Sequence, residues 1–170
     1  MPDTSDGLRW WSKVGHFADD YDAVVDEHGG PDRGRAARVS SLTDAPRGHG
    51  GLMQRILAVD YVGRRVRWSG LVKTADLRGW CGLWLRVDGA RGNLLDFDNM
   101  QSRPLKGSTD WTRCEVVLDV SDDATALAFG VVVEGAGQVW VTELALAVVG
   151  ADVPVTASTP RAPRNLSFSG

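Results

Sequence analysis

Apolar and polar positions alternate with a period of two through most of the chain. Over residues 65–73, Val66, Trp68, Gly70 and Val72 share one parity, and Arg65, Arg67, Ser69, Leu71 and Lys73 share the other. That is the pattern of a half-buried strand. Further strands are predicted over 21–26, 36–40, 52–58, 80–88, near 94–97, and over 112–120, 125–133 and 138–148. H28-G-G-P-D-R-G-R35 and T43-D-A-P-R-G-H-G-G51 read as Gly-rich loops, and D88-G-A-R-G92 and E134-G-A-G137 as hairpin turns. Residues 60–63 read as a tight turn or one helical turn, and W10-W-S-K-V-G-H16 as an aromatic lid or a first strand. No long amphipathic helix is predicted. Eight or more short strands punctuated by Gly and Asp predict an all-β sandwich, its layers about 10 Å apart and its core filled by alternate residues. The expected organisation is an N-terminal extension over 1–14, the sandwich over 15–149 and a Pro/Ser-rich tail over 150–170, where Leu166 and Phe168 keep strand parity and can dock on an edge or a partner.

One strand carries more chemistry than a wall needs. In W80-C-G-L-W-L-R-V-D88, Trp84, Arg86 and Asp88 share a parity, opposite Cys81, Leu83, Leu85 and Val87. The cysteine side is expected to face the core and the tryptophan side a ligand surface. Seven tryptophans against four phenylalanines and two tyrosines make indole the main stacking group available, although a wide core also uses such rings.

Composition narrows the partners. Apolar residues make up 43% and charged residues 24%, a globular balance. Net charge is −3 with no long basic block, so nucleic acid is not an expected partner. The apolar runs are too short to span a membrane, and M1-P-D-T-S-D-G7 lacks a basic leader and an apolar core. A cytoplasmic protein with reduced thiols is expected, Cys81 and Cys114 both lying among apolar neighbours of their own parity. A disulfide would need them on adjacent strands.

F17-x-x-D-Y21, G50-G-L-M-Q54, D60-Y-V-G-R-R-V-R-W-S-G70, G79-W-C-G-L-W-L-R-V-D-G89, F97-D-N-M-Q-S-R-P104, K106-G-S-T-D-W111, F129-G-V-V-V-E-G135 and G137-Q-V-W-V141 follow one another along the chain, with P163-R-N-L-S-F168 after them. In this order they resemble a widespread uncharacterised bacterial domain. It is similar to the non-DNA-binding portion of certain predicted transcriptional regulators and to the galactose-binding-like jelly roll of many carbohydrate-binding modules. The resemblance implies a jelly-roll β-sandwich over roughly residues 15–149, without the DNA-binding helices of the regulators. Such modules often carry a structural calcium held by consecutive acids near the last strand; W140-V-T-E143 offers one acid, and no metal is expected.

Candidate ligand-binding residues are Trp84 and Trp68 for stacking, Arg86 for an oxyanion with Asp88 orienting it, and Gln54 and Asn99 for hydrogen bonds. D96-F-D-N-M-Q101 is the densest polar cluster, either capping its own loop through Arg103 or orienting a substrate. Candidate proton-transfer groups are Glu115, Asp98 and His49; Glu115 qualifies if its strand lies beside Trp84. His16, His28 and His49 lack zinc-site spacing, and no Ser-His-Asp set or nucleotide fingerprint occurs, so no cofactor is expected.

The leading function is binding of a small molecule or carbohydrate on this aromatic-polar face. The alternative is a cofactor-independent cyclase, isomerase or lyase of specialised metabolism acting on a hydrophobic metabolite. A third is a partner-binding protein using an apolar edge or the tail. A sandwich edge also suits a homodimer.

Overall fold

The strands predicted at 65–73 and 80–88 are one strand, β5 (Arg65–Gly89). Asp76 takes a φ of +50°, and the pairing register with a later strand slips three times between Val72 and Cys81. The chain therefore bends at the polar residues that read as a break without leaving its ladder. The computed structural model describes residues 6–157 and 166–168. Among them lie eight other strands: β1 (Ser12–Val14), β2 (Tyr21–Asp26), β3 (Ala36–Ser41), β4 (His49–Leu57), β6 (Leu94–Asp98), β7 (Leu105–Asp119), β8 (Ala124–Glu134) and β9 (Gln138–Val149). Three single turns of 3-10 helix accompany them, and there is no α-helix among the described residues.

All pairings are antiparallel, and the fold is a jelly-roll β-sandwich. One layer runs β1-β4-β8-β5-β6 and uses residues 80–89 of β5. The other runs β2-β3-β9-β5-β7 and uses chiefly residues 65–75. β5 thus belongs to both.

Alternation fills the space between the layers. Cys81, Leu83, Leu85 and Val87 are buried there, facing Val66, Trp68, Val72, Cys114, Val116 and Leu118. Each such aliphatic side chain contributes about 1.5–3 kcal/mol on burial. The Trp68 ring lies 4.7 Å from Phe129, and its Nε1–H donates to the Gly130 carbonyl at 3.1 Å. Both cysteines are free thiols. Burial pushes Cys81 up to about 12, with a smaller contribution from Cys114, and Cys114 up to about 11.

Two loops are shorter than the sequence suggests. β4 begins at His49, inside the second Gly-rich stretch. A Cβ on Gly50 would come within 2.6 Å of the Tyr21 ring, so glycine there lets the strand run beside a fully buried tyrosine. β7 begins at Leu105 and includes K106-G-S-T-D-W111.

The flanking segments lie against the sandwich where they are described. β1, within residues 1–14, pairs with β4. Thr156 exchanges hydrogen bonds with Val117, and Arg65 donates to the carbonyls of Ala151 and Val153. Leu166 and Phe168 are 75% and 90% exposed. Residues 158–165, which include P163-R-N of the final motif, lie outside the described residues. No helix among the described residues is long and apolar enough to cross a membrane.

Candidate ligand-binding groove

The outer face of the β1-β4-β8-β5-β6 layer is built in rows across three strands. His49, Glu134 and Trp80 stand in register, then Met53, Gly130 and Trp84, then Arg55, Ala128 and Arg86, then Leu57, Ala126 and Asp88. Between the first two rows stand Gly51, Val132 and Gly82, so glycines on β4 and β5 flank Val132. That gap opens a trough of about 440 Å³, bounded by His49 and Met53 of β4, Val132 and Glu134 of β8, and Trp80, Trp84 and Arg86 of β5. Neighbouring strands lie about 4.8 Å apart, so side chains of β4 and β5, with β8 between them, stand roughly 10 Å apart.

The loop after β6 closes one side. Its backbone crosses Gly82, where a Cβ would lie 2.8 Å from the Asn99 carbonyl oxygen and 2.9 Å from Met100. Met100, at φ +61°, accepts the Leu83 N–H on its sulfur at 3.3 Å, continuing the edge of β5 beyond the end of β6. This places Asn99 and Gln101 on the groove, beside Phe97. The Asn99 side-chain oxygen accepts the Gln101 N–H at 3.0 Å.

Charge is arranged along the trough. Asp88, 4% exposed, lies 3.0 Å from Arg86 Nε and 3.8 Å from Arg55 Nη2. Of these three groups only Arg86 lines the groove, together with Glu134 of opposite charge. The Arg86 guanidinium also sits 5.9 Å from the Trp84 ring centre, within cation–π reach. At the other end the Trp80 Nε1–H donates to Glu134 at 3.3 Å, beside exposed His49.

Trp84, Arg86, Asn99 and His49 all line the groove, and Cys81, Leu83, Leu85 and Val87 turn into the core. Four other candidates lie elsewhere. Gln54 is in register with Phe129 and Leu85, on the face turned away from Trp84. Trp68 lies between the layers. Asp98 is 4% exposed, accepts two hydrogen bonds from Arg103 and one from the Met100 N–H, and so holds its own loop. Arg103 continues to the Glu115 carbonyl, tying that loop to β7. Glu115 is in register with Ser69 on the outer face of the opposite layer, 3.9 Å from Arg67. Its strand therefore does not run beside Trp84.

Sequence reasoning passed over Trp80 and Phe97 as ligand contacts. Trp84 is 8% exposed and serves mostly as floor, whereas Phe97 is 37% exposed and Trp80 is half-buried. The signal for Trp80 is its parity with Trp84. The signal for Phe97 is its position between Asp96 and Asp98 in an alternating strand. Among the described residues no group of His, Cys, Asp and Glu is placed to hold a metal ion.

No family model matches the chain. It is 40% identical over 105 residues to the uncharacterized HTH-type transcriptional regulator YbfP of Bacillus subtilis, a match covering 62% of this chain and 36% of the regulator. The chain thus spans just over a third of that relative. Among solved structures it superposes with a TM-score of 0.65 on the enzymatically active domain of tailspike protein 4 of bacteriophage CBA120, at 12% identity over 86% of this chain and 20% of that one. The CBM22-1 xylan-binding domain of Paenibacillus barcinonensis Xyn10C superposes at 0.58, with 14% identity over 83% of this chain and 86% of that domain. The chain has the jelly-roll fold of these modules and is similar in sequence to part of a helix-turn-helix regulator.

Proposed function

We propose that the chain binds a saccharide in the groove on the outer face of the β4-β8-β5 sheet. The observation that carries this reading is the trough itself, with aromatic rings from Trp80, Trp84 and Phe97 beside polar groups from Arg86, Asn99 and Gln101. Sugar rings present C–H faces that stack on aromatic rings and hydroxyls that need directional partners, and this lining supplies both. The xylan-binding modules that share the fold support a carbohydrate ligand. The likeness to part of a regulator supports a sensing use for such a site. Arg86 on the groove suits a sugar carrying a carboxylate or another oxyanion. Of the three proton-transfer candidates only His49 lines the groove, which favours binding over catalysis.

Calorimetric titration with xylohexaose and with a xylo-oligosaccharide bearing a uronic-acid carboxylate tests the reading. Trp84 is the groove floor and only 8% exposed, so Trp84→Ala acts chiefly by reshaping that floor and is expected to weaken binding about fivefold, roughly 1 kcal/mol. Glu115→Gln is expected to leave it within about twofold, and the acidic oligosaccharide to bind more tightly. Equal affinity in wild type and Trp84→Ala overturns the assignment.

A further inference from the structure

Tyr21 opens β2, in the layer opposite the one that bears the groove, and is fully buried. Its hydroxyl donates to the Gly48 carbonyl at 3.0 Å and accepts the Gly135 N–H at 3.0 Å. Burial pushes the phenol above its ordinary 10.0, against the opposing effect of the Gly135 N–H, so the hydroxyl keeps the proton it donates. One buried group thus serves two loops, 27 and 114 residues away along the chain.

Both loops end at the groove. Gly48 directly precedes His49, and Gly135 directly follows Glu134. His49 and Glu134 form the terminal rung of the β4–β8 ladder, and Trp80 and Glu134 the matching rung between β5 and β8. All three residues line the groove. A terminal rung has ladder on one side only, and strand ends are where local opening is easiest. The Tyr21 hydroxyl lies just beyond this rung and ties β4 to β8 from outside the ladder.

The neighbouring contacts converge on the same end. The Phe17 N–H donates to the His49 carbonyl at 3.3 Å. Asp20, beside Tyr21, accepts the Arg47 N–H at 2.8 Å and the Arg47 guanidinium at 3.1 Å, which holds the residue before Gly48. Gly135 takes a φ of +94°, and a Cβ there would come within 2.6 Å of the Gly79 nitrogen, so the turn after Glu134 lies close against the residue before Trp80. Residues 17–21 therefore grip the backbone at the polar end of the groove. A phenylalanine would fill the same core space as Tyr21, so what the hydroxyl adds is these two bonds.

We propose that Tyr21 is a positioning residue for the groove, an inference that rests on the groove being the saccharide site. Its hydroxyl fixes the row of His49, Glu134 and Trp80, so that a saccharide meets this row already ordered. Tyr21 touches no ligand and acts through Glu134.

Calorimetric titration with xylohexaose of the wild type, Tyr21→Phe, Glu134→Gln and the double variant tests the proposal. Folded Tyr21→Phe is expected to bind about fivefold more weakly than the wild type. In the Glu134→Gln background the same replacement is expected to cost less than about twofold, because residues that act through one another do not add. A Tyr21 that only stabilised the fold would change affinity equally in both backgrounds, or in neither. If Tyr21→Phe does not fold, the wild type still decides. Saturation with xylohexaose is expected to slow NMR-detected exchange of the Gly135 N–H at least about threefold, since a ligand that holds Glu134 also holds the turn after it. Wild-type affinity in Tyr21→Phe, an equal loss in the Glu134→Gln background, or unchanged Gly135 exchange would overturn the role of Tyr21 and leave the groove standing. Absence of xylohexaose binding by the wild type would overturn both.

Discussion

The same three residue types occur together on both outer faces of the sandwich, and on one of them they stand beside a groove. On the first, Trp84, Arg86 and Asp88 stand beside a trough. On the second, Trp140, Arg38 and Asp26 close on one another. The Trp140 Nε1–H donates to Asp26 at 3.0 Å, Arg38 lies 3.8 Å from the same carboxylate, and Lys73 sits 5.8 Å from the Trp140 ring centre. Val24, Arg38, Trp140 and Lys73 form one row of large side chains across four strands. The first face instead has Gly51 and Gly82 on either side of Val132, where its groove lies. An indole, a guanidinium and a carboxylate of one parity therefore do not by themselves form a groove. The gap in the row beside them does.

The sharpest way to break this comparison is to fill the trough. Val132 is half-buried in the groove, and Val132→Trp is expected to reduce oligosaccharide affinity by about two orders of magnitude while the chain stays folded by circular dichroism. Retained affinity would mean that the trough is not the site. Next in size, Trp140→Ala is expected to lower unfolding free energy by about 1–3 kcal/mol in urea, through lost packing and hydrogen bonding. It should leave groove binding unchanged, and a matching loss of affinity would join the two faces functionally. The smallest effect concerns acid. Asp26 titrates below its ordinary 3.8, chiefly because it accepts the Trp140 N–H, with help from the His28 N–H and the Arg38 and His28 charges against the opposing effect of burial. A lowered folded pKa contributes stability that is fully present above about 3.8 and fades as pH falls through the folded value. Trp140→Phe should therefore shrink the acid-induced drop in melting temperature between pH 5 and pH 2, roughly values bracketing carboxylate titration. An unchanged drop would remove Trp140 as the main cause.

What was legible in the sequence divides along the same line. Strand parity identified the sides of residues 80–88, because a period of two follows from the pleat alone. It did not show that β5 is continuous, since Asp76 and Gly79 are turn-forming types and only the neighbouring strands keep those residues in the ladder. Parity also could not place Glu115 or Gln54. Both choices depend on which layer a strand joins and which way that layer faces. Asp98 shows the limit most clearly: it belongs to the right segment, yet an arginine five residues on turns its carboxylate into a loop tie. Phe97, between two acids in an alternating strand, is 37% exposed on the groove, more than either Trp80 or Trp84.

β5 has a consequence for how this protein is made. Its residues 80–89 need β8, its residues 65–75 need β9, and β4 also waits for β8. A nascent chain that has reached Asp119 can join β1 to β4, β2 to β3, and β5 to β6 and β7, but cannot connect these pieces into either full layer. Long-range pairings of this kind form late and leave strand edges open while they wait. On the ribosome, then, the longest strand of the protein is synthesised well before the partners that cover it, and the two layers close in turn as β8 and then β9 arrive, one in each layer.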